Sequence, residues 1–148
     1  MRKFLKMALF LLVGCTQLQA AELFGWTGCM DGDYGTSVRE CSLLIEKERD
    51  RGIAARAFFF RGEAYRREGE KENAIADYRE AARLDPKFSD AYQRLAIVNK
   101  HLAQFGSAIA NAKKAYALHK SPVTASLLKS LGVIPSRLKE HERSRAAD

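Results

Sequence analysis

Apolar and small residues recur along this chain at helical spacing. Val38, Cys41, Leu44 and Ile45 fall three and four residues apart and make one apolar face. No stretch alternates apolar and polar residues between hairpin turns, so strands are not expected. Punctuation places the helices. Residues 26–37, WTGCMDGDYGTS, read as a short helix or turn and then a loop. Ser37-Val38-Arg39-Glu40 has the form of a capping box, in which the Ser oxygen and the Glu carboxylate take up free amides at a helix start. A second helix is predicted over 53–67, broken by Gly69, and a third over 71–84, stopped by Pro86. A fourth covers 90–102, Phe105-Gly106 reads as a turn, and a fifth covers 108–118. Ser121 caps a sixth helix, with Pro122 in its first turn, where a missing N–H costs nothing. That helix runs to 131, and Gly132 ends it. Helices of this length joined by short turns predict antiparallel pairs. Residues 135–148 read as a charged tail.

The start of the chain has a different character. Arg2, Lys3 and Lys6 precede an apolar run over 7–13, and a polar stretch leads to Ala20 and Ala21. This is a secretory signal layout, and the run is too short to span a bilayer as a helix. Two processing readings stay open. Cleavage after Leu18-Gln19-Ala20 removes 1–20 and releases a soluble product to the periplasm or the medium. Leu12-Val13-Gly14-Cys15 also resembles the bacterial lipobox, which makes 1–14 a lipoprotein signal and Cys15 a lipid-bearing membrane anchor. Either reading predicts an exported body. Loss of 1–20 takes three positive charges and no acid, so the net charge of +7 overstates how basic that body is. Its basic and acidic residues are interspersed, which argues against a nucleic-acid-binding stripe. The remaining length suits one small domain.

Cys29 and Cys41 survive under both readings. An even pair in an exported chain predicts a disulfide, worth roughly 3 kcal/mol for a loop of that size. Free thiols and a reactive pair remain alternatives. A metal site is not expected, because His101, His119 and His141 are scattered and far from both cysteines. No phosphate-binding loop, nucleophile elbow or zinc-protease motif is present, and no cofactor or catalysis is expected. Glu63, Glu68, Glu70 and Glu72 read as a solvated helix face rather than as acid/base groups.

The intervals in RGEAYRREGEKENAIADYREAARLDP carry one specific likeness. Phe58, Gly62, Tyr65, Gly69, Ala74, Tyr78, Ala81 and Pro86 fall, without a gap, where the tetratricopeptide repeat has its large, small, turn and terminating residues, and Leu84 also matches. The chain therefore resembles the tetratricopeptide repeat family, whose unit is a 34-residue helix–turn–helix. The small residues let two helices approach, the aromatics fill the space beside them, and the proline ends the second helix. One repeat later, Tyr92, Leu95, Ala96, Ala108, Ala112, Ala115 and Leu118 stand in matching places, but Ala103 replaces the turn glycine and the terminal proline is displaced to Pro122. The resemblance implies an all-α fold, a right-handed superhelix of stacked antiparallel helix pairs. Residues 21–52 become a degenerate first repeat stapled by the cysteines. Residues 53–88 and 89–120 are full units, and 121–134 form a terminal capping helix.

The same resemblance implies a concave face, lined by the first helix of each pair, that binds a peptide or another protein. Its register assigns Phe58 to the helix pair and Phe59 to the concave side, with Arg56, Glu63 and Arg66 or Arg67 nearby. In the next unit it gives Asp90, Gln93, Arg94, Ile97, Lys100 and His101. Relatives that grip a terminal carboxylate use Lys, Asn and Arg at these places. Only Arg94 fits, Asp90 has the opposite sign, and that clamp does not carry over. An aromatic contact amid positive charge suits an acidic segment with an apolar anchor. Packing of Phe59 against a neighbouring helix is the alternative. A second functional reading is a structural or assembly subunit of a cell-envelope complex that uses the superhelix edge.

Overall fold

The computed structural model describes residues 26–134. The signal-peptide and lipobox readings, Cys15 among them, and the charged tail lie outside these residues. Residues 26–31 form helix α1. Six helices follow: α2 (Tyr34–Lys47), α3 (Arg51–Arg67), α4 (Lys71–Leu84), α5 (Ser89–His101), α6 (Phe105–Leu118) and α7 (Pro122–Ser130). No strand occurs among the described residues. Each helix from α2 onward packs chiefly against its neighbours in sequence, which makes a stack of helical hairpins.

Two expected punctuation marks fall elsewhere. Helix α2 starts at Tyr34, because Asp33 accepts a hydrogen bond from the Thr36 amide at 2.8 Å. An aspartate is already a strong cap, so Ser37 is not needed as one. Ser37 is instead wholly buried inside α2 and donates to the Gly32 carbonyl at 2.9 Å, tying α2 to the end of α1. Phe105-Gly106 is not the turn either, because both residues lie in the first turn of α6. The turn is made by 102–104. There the Ala103 amide bonds to the Lys100 carbonyl and the Gln104 amide to the Asn99 carbonyl. Gly69 and Glu70 make the same two bonds to Arg66 and Tyr65, and Gly132 and Val133 make them to Lys129 and Leu128. This paired closure requires a left-handed residue. Gly69 has φ +83° and Gly132 φ +77°, whereas Ala103 adopts φ 56° despite its Cβ. Ser121 caps α7 as expected, accepting from the Thr124 amide at 3.1 Å.

The core of the stack lies between α3 and α4 and extends to α5. Ala74, Tyr78 and Ala81 are fully buried there. A Cβ on Gly62 would sit 2.8 Å from Tyr78 Cε1, so glycine is what allows the two helices their separation. Arg61 of α3 makes two hydrogen bonds to Asp77 of α4, each 2.8 Å, and a third to Ser42 of α2 at 2.8 Å. Asp77 is only 5% exposed. One guanidinium thus joins three helices. A smaller core of Ala96, Ala112 and Leu128 lies under α7.

At the other end, the sulfurs of Cys29 and Cys41 lie at bonding distance and both residues are fully buried. This staples α1 to α2, where glycines and a short helix leave little apolar area to bury. Trp26 meets Phe60 edge-on at 6.4 Å and Tyr34 meets Tyr65 at 6.2 Å, which seats the staple against α3. Tyr34 also donates to the Glu70 carboxylate.

Candidate functional site

The first helices of the two full pairs, α3 and α5, and the terminal helix α7 are joined by side chains. Arg94 of α5 pairs with Glu63 of α3 at 3.0 Å. Thr124 of α7 donates to Gln93 of α5 at 3.1 Å, and Lys100 of α5 donates to Ser130 of α7 at 2.8 Å. Of the residues the register names, Glu63 and Arg94 thus join α3 to α5, and Gln93 and Lys100 join α5 to α7. Ile97 lies half-buried one helical turn from Gln93, while Arg56, Arg67 and Asp90 are exposed.

Phe59 does not join that face. It is 9% exposed and its ring packs 5.0 Å from Phe88, 5.6 Å from Phe60 and 5.7 Å from Tyr78. The three consecutive phenylalanines do point in different directions, but α3 is covered on several sides. Phe58 lies under the Arg61 guanidinium at 5.3 Å, Phe59 faces α4 and the α4–α5 turn, and Phe60 meets Trp26. A helix in the middle of a stack buries more than one face, and the deepest of the three rings is Phe59 rather than Phe58. Of the two apolar residues predicted for the concave face, Ile97 is the one left half-buried.

Glu63 is also more than part of a solvated face. Its carboxylate accepts from Tyr78, from Arg66 at 3.1 Å and 3.3 Å, and faces Arg94. Burial alone would raise its pKa. The hydrogen bonds from Arg66 and Tyr78 and the charges of Arg94 and Arg66 outweigh burial and hold the carboxyl below its ordinary value. Burial and the bond to Glu63 push the Tyr78 hydroxyl far up. Two guanidinium groups share one carboxylate, so positive charge remains in excess. The cluster offers fixed, charge-assisted donors for an anionic group. Among the described residues no three His, Cys, Asp or Glu side chains come together to hold a metal ion, and no helix is long and apolar enough to cross a membrane.

Sequence reasoning missed the Arg61–Asp77 pair and the Tyr78–Glu63 bond. Both cross between α3 and α4, and neither has a local spacing that would reveal it. Only the spacing of Glu63 and Arg66, three apart on one helix, was a readable signal.

Comparisons with known proteins bear on this geometry. The family model described as TPR repeat matches residues 62–102, which hold the last third of α3, all of α4 and α5, and the two turns between them. The Sgt2 TPR domain from Aspergillus fumigatus superposes with a TM-score of 0.57 at 22% identity, over 78% of this chain and 73% of that one. The fold is that of a TPR domain. MamA is similar to the same degree, with a TM-score of 0.57 at 18% identity, over 78% of this chain and 72% of that one. No curated protein matches the sequence significantly. TPR domains are typically protein-interaction modules, and these side chains lie on α3 and α5, the first helices of the two full pairs, and on α7, which follows them.

Proposed function

We propose that the chain is an exported protein–protein interaction module without catalytic activity. It takes an acidic peptide or protein segment along the face shared by α3, α5 and α7. The observation that carries this reading is the Glu63–Arg94 pair, which fixes a guanidinium between two first helices while Arg66 adds a second. Arg56 and Arg67 extend the positive charge, Lys100 stands at the far end, and Ile97 supplies the apolar contact between them. Asp90 is the one exposed acid in the predicted set. An extended segment laid across successive first helices would meet cations at its carboxylates and one aliphatic side chain at its apolar anchor.

The test begins with crosslinking in the intact native cell and identification of what is attached. Binding of that partner is then measured for Arg94→Glu and Ile97→Asp, after circular dichroism shows both fold. Weakened binding in both, with affinity falling as salt rises, supports the reading. Unchanged binding in both folded variants removes this face from the account and favours a structural subunit that uses the edge of the stack. Export is tested separately by mass spectrometry of the protein from its native host. A product starting at Ala21, or lipid on Cys15, supports it, and recovery of intact Met1 overturns it.

A further inference from the structure

The two turns that close the helix pairs have the same backbone bonds and opposite surfaces. The α3–α4 turn carries Glu68, Glu70 and Glu72 around Gly69. One repeat on, the α5–α6 turn has Leu102, Gln104 and Gly106 at those three places, and Phe105 where Lys71 stands. The loss of acids extends well beyond the turn. Residues 91–134 contain Arg94, Lys100, Lys113, Lys114, Lys120 and Lys129 and not one Asp or Glu. At this rim Phe105 is 55% exposed, and Ile134, just past α7, is 52% exposed. The Lys100–Ser130 hydrogen bond pins the end of α7 to the end of α5, which brings Lys129 and Ile134 to the same edge as the α5–α6 turn.

We propose that this edge, built from Lys100, His101, Phe105, Lys129 and Ile134, docks on an anionic lipid surface. A lysine in the last turn of a helix also complements the carbonyl ends, and that accounts for Lys100 and Lys129 taken singly. It does not account for two large apolar side chains held in water beside them. Such side chains enter the boundary between headgroups and acyl chains, while lysines spread their stems over it and leave their ammonium groups among the phosphates. Lys100 and His101 end α5, Phe105 starts α6 and Lys129 lies in the last turn of α7, so the group is carried by helix ends, which suits a bilayer surface. The absence of acids over 91–134 removes the repulsion that Glu68, Glu70 and Glu72 would bring to the corresponding edge of the preceding pair. The proposal is independent of the α3–α5–α7 face apart from Lys100, and its test leaves Lys100 unchanged.

The full chain carrying Phe105→Trp is titrated with phosphatidylglycerol-containing vesicles, with pure phosphatidylcholine vesicles and with polyglutamate. The unmodified chain, whose one tryptophan is Trp26, supplies the reference for any response elsewhere in the molecule. Ile134→Trp is a second probe of the same edge. The expected result is a shift of the added tryptophan to shorter wavelength with the anionic vesicles, absent with phosphatidylcholine and reversed by salt. Adding Lys129→Glu should weaken the apparent affinity on the order of tenfold. Responses no larger than that of the unmodified chain in both probes, or equal responses to anionic and neutral vesicles, overturn the proposal. A response to polyglutamate but not to vesicles also overturns it, and makes the edge a site for an acidic protein.

Discussion

The α3–α4 and α5–α6 hairpins are consecutive copies of one motif, and they solve the same packing problem with different materials. In the first, Gly62 clears room for Tyr78, and a tyrosine ring fills the junction. In the second, Ala96 and Ala112 occupy the corresponding positions, and the space is filled from outside the pair by Leu128 of α7. The first crosses its helices with the buried Arg61–Asp77 pair, whereas Leu95 and Asn111 stand at those places in the second. The first closes on Gly69 and the second on Ala103 at φ 56°. Tyr65 of the first reaches Tyr34, while its counterpart Asn99 is buried with its Oδ1 unpartnered. A repeat is thus defined by where volume must be, not by which helix supplies it. The α3–α4 pair carries its own filling, and the α5–α6 pair depends on α7.

The largest expected effect tests where that filling comes from. Tyr78→Ala should cost about 3–5 kcal/mol in denaturant unfolding, because a fully buried ring leaves a cavity. Leu128→Ala should cost about 2–5 kcal/mol although it lies outside the α5–α6 pair. A negligible cost for Leu128→Ala would show that the second pair fills itself and break the comparison.

The crossing pair comes next. Asp77→Asn leaves the Arg61 guanidinium without its counter-charge in a mostly buried setting and should cost roughly 3 kcal/mol. The double variant Arg61→Leu/Asp77→Asn imports the residues of the second repeat and removes both charges together. It should be less destabilised than Asp77→Asn alone, since a buried pair replaced as a unit loses little. A double variant worse than the single would mean that the Ser42 bond and the ring contacts of Arg61 matter more than the charge.

A smaller effect is expected at the turns. Ala103→Gly relieves a Cβ held in the left-handed region and should stabilise by roughly 1 kcal/mol. Gly69→Ala should destabilise by about the same amount, through backbone strain alone, because nothing lies within 4 Å of the added Cβ. Thermal unfolding of the two variants should shift in opposite directions. The smallest effect belongs to Glu63. Its folded pKa is depressed, so its contribution is fully present above the ordinary carboxyl value of 4.5 and is lost as pH falls through the lower folded value. Melting temperature should therefore fall on acidification below that ordinary value, less steeply in Glu63→Gln. Equal slopes would mean that the cluster adds nothing on folding.

What was legible in the sequence follows the same division. The α3–α4 pair was readable because its devices are local or large: a turn glycine, a small–aromatic spacing, a terminating proline. The helices of the α5–α6 pair were readable from periodicity, but its turn was displaced by two residues because Phe105-Gly106 looked like the only breaker nearby and an alanine does not advertise a left-handed conformation. Ser37 misled in the same way, since capping chemistry and close-packing both favour a small hydroxyl. Within the candidate site, the helical register named Glu63, Gln93, Arg94 and Lys100, and each of these side chains bonds to one on another helix. It failed at Phe59, because the coverage of a central helix depends on neighbours far along the chain, among them Phe88 and Trp26. The Arg61–Asp77 pair was invisible for that reason too.

The contacts between sequence neighbours have a kinetic consequence. With each helix from α2 onward resting chiefly on the one before and the one after, few native contacts need distant parts of the chain to meet. Contact order is therefore low, and little loop-closure entropy has to be spent before packing begins. The α3–α4 hairpin has the densest interface and can form early, with the others condensing onto it in either direction. Helix α7, attached mainly to α6, can detach without disturbing α3 and α4. Amide exchange would then grade along the molecule, slowest around Tyr78 and faster toward α7, so that Leu128 leaves the α5–α6 core by local opening rather than by global unfolding.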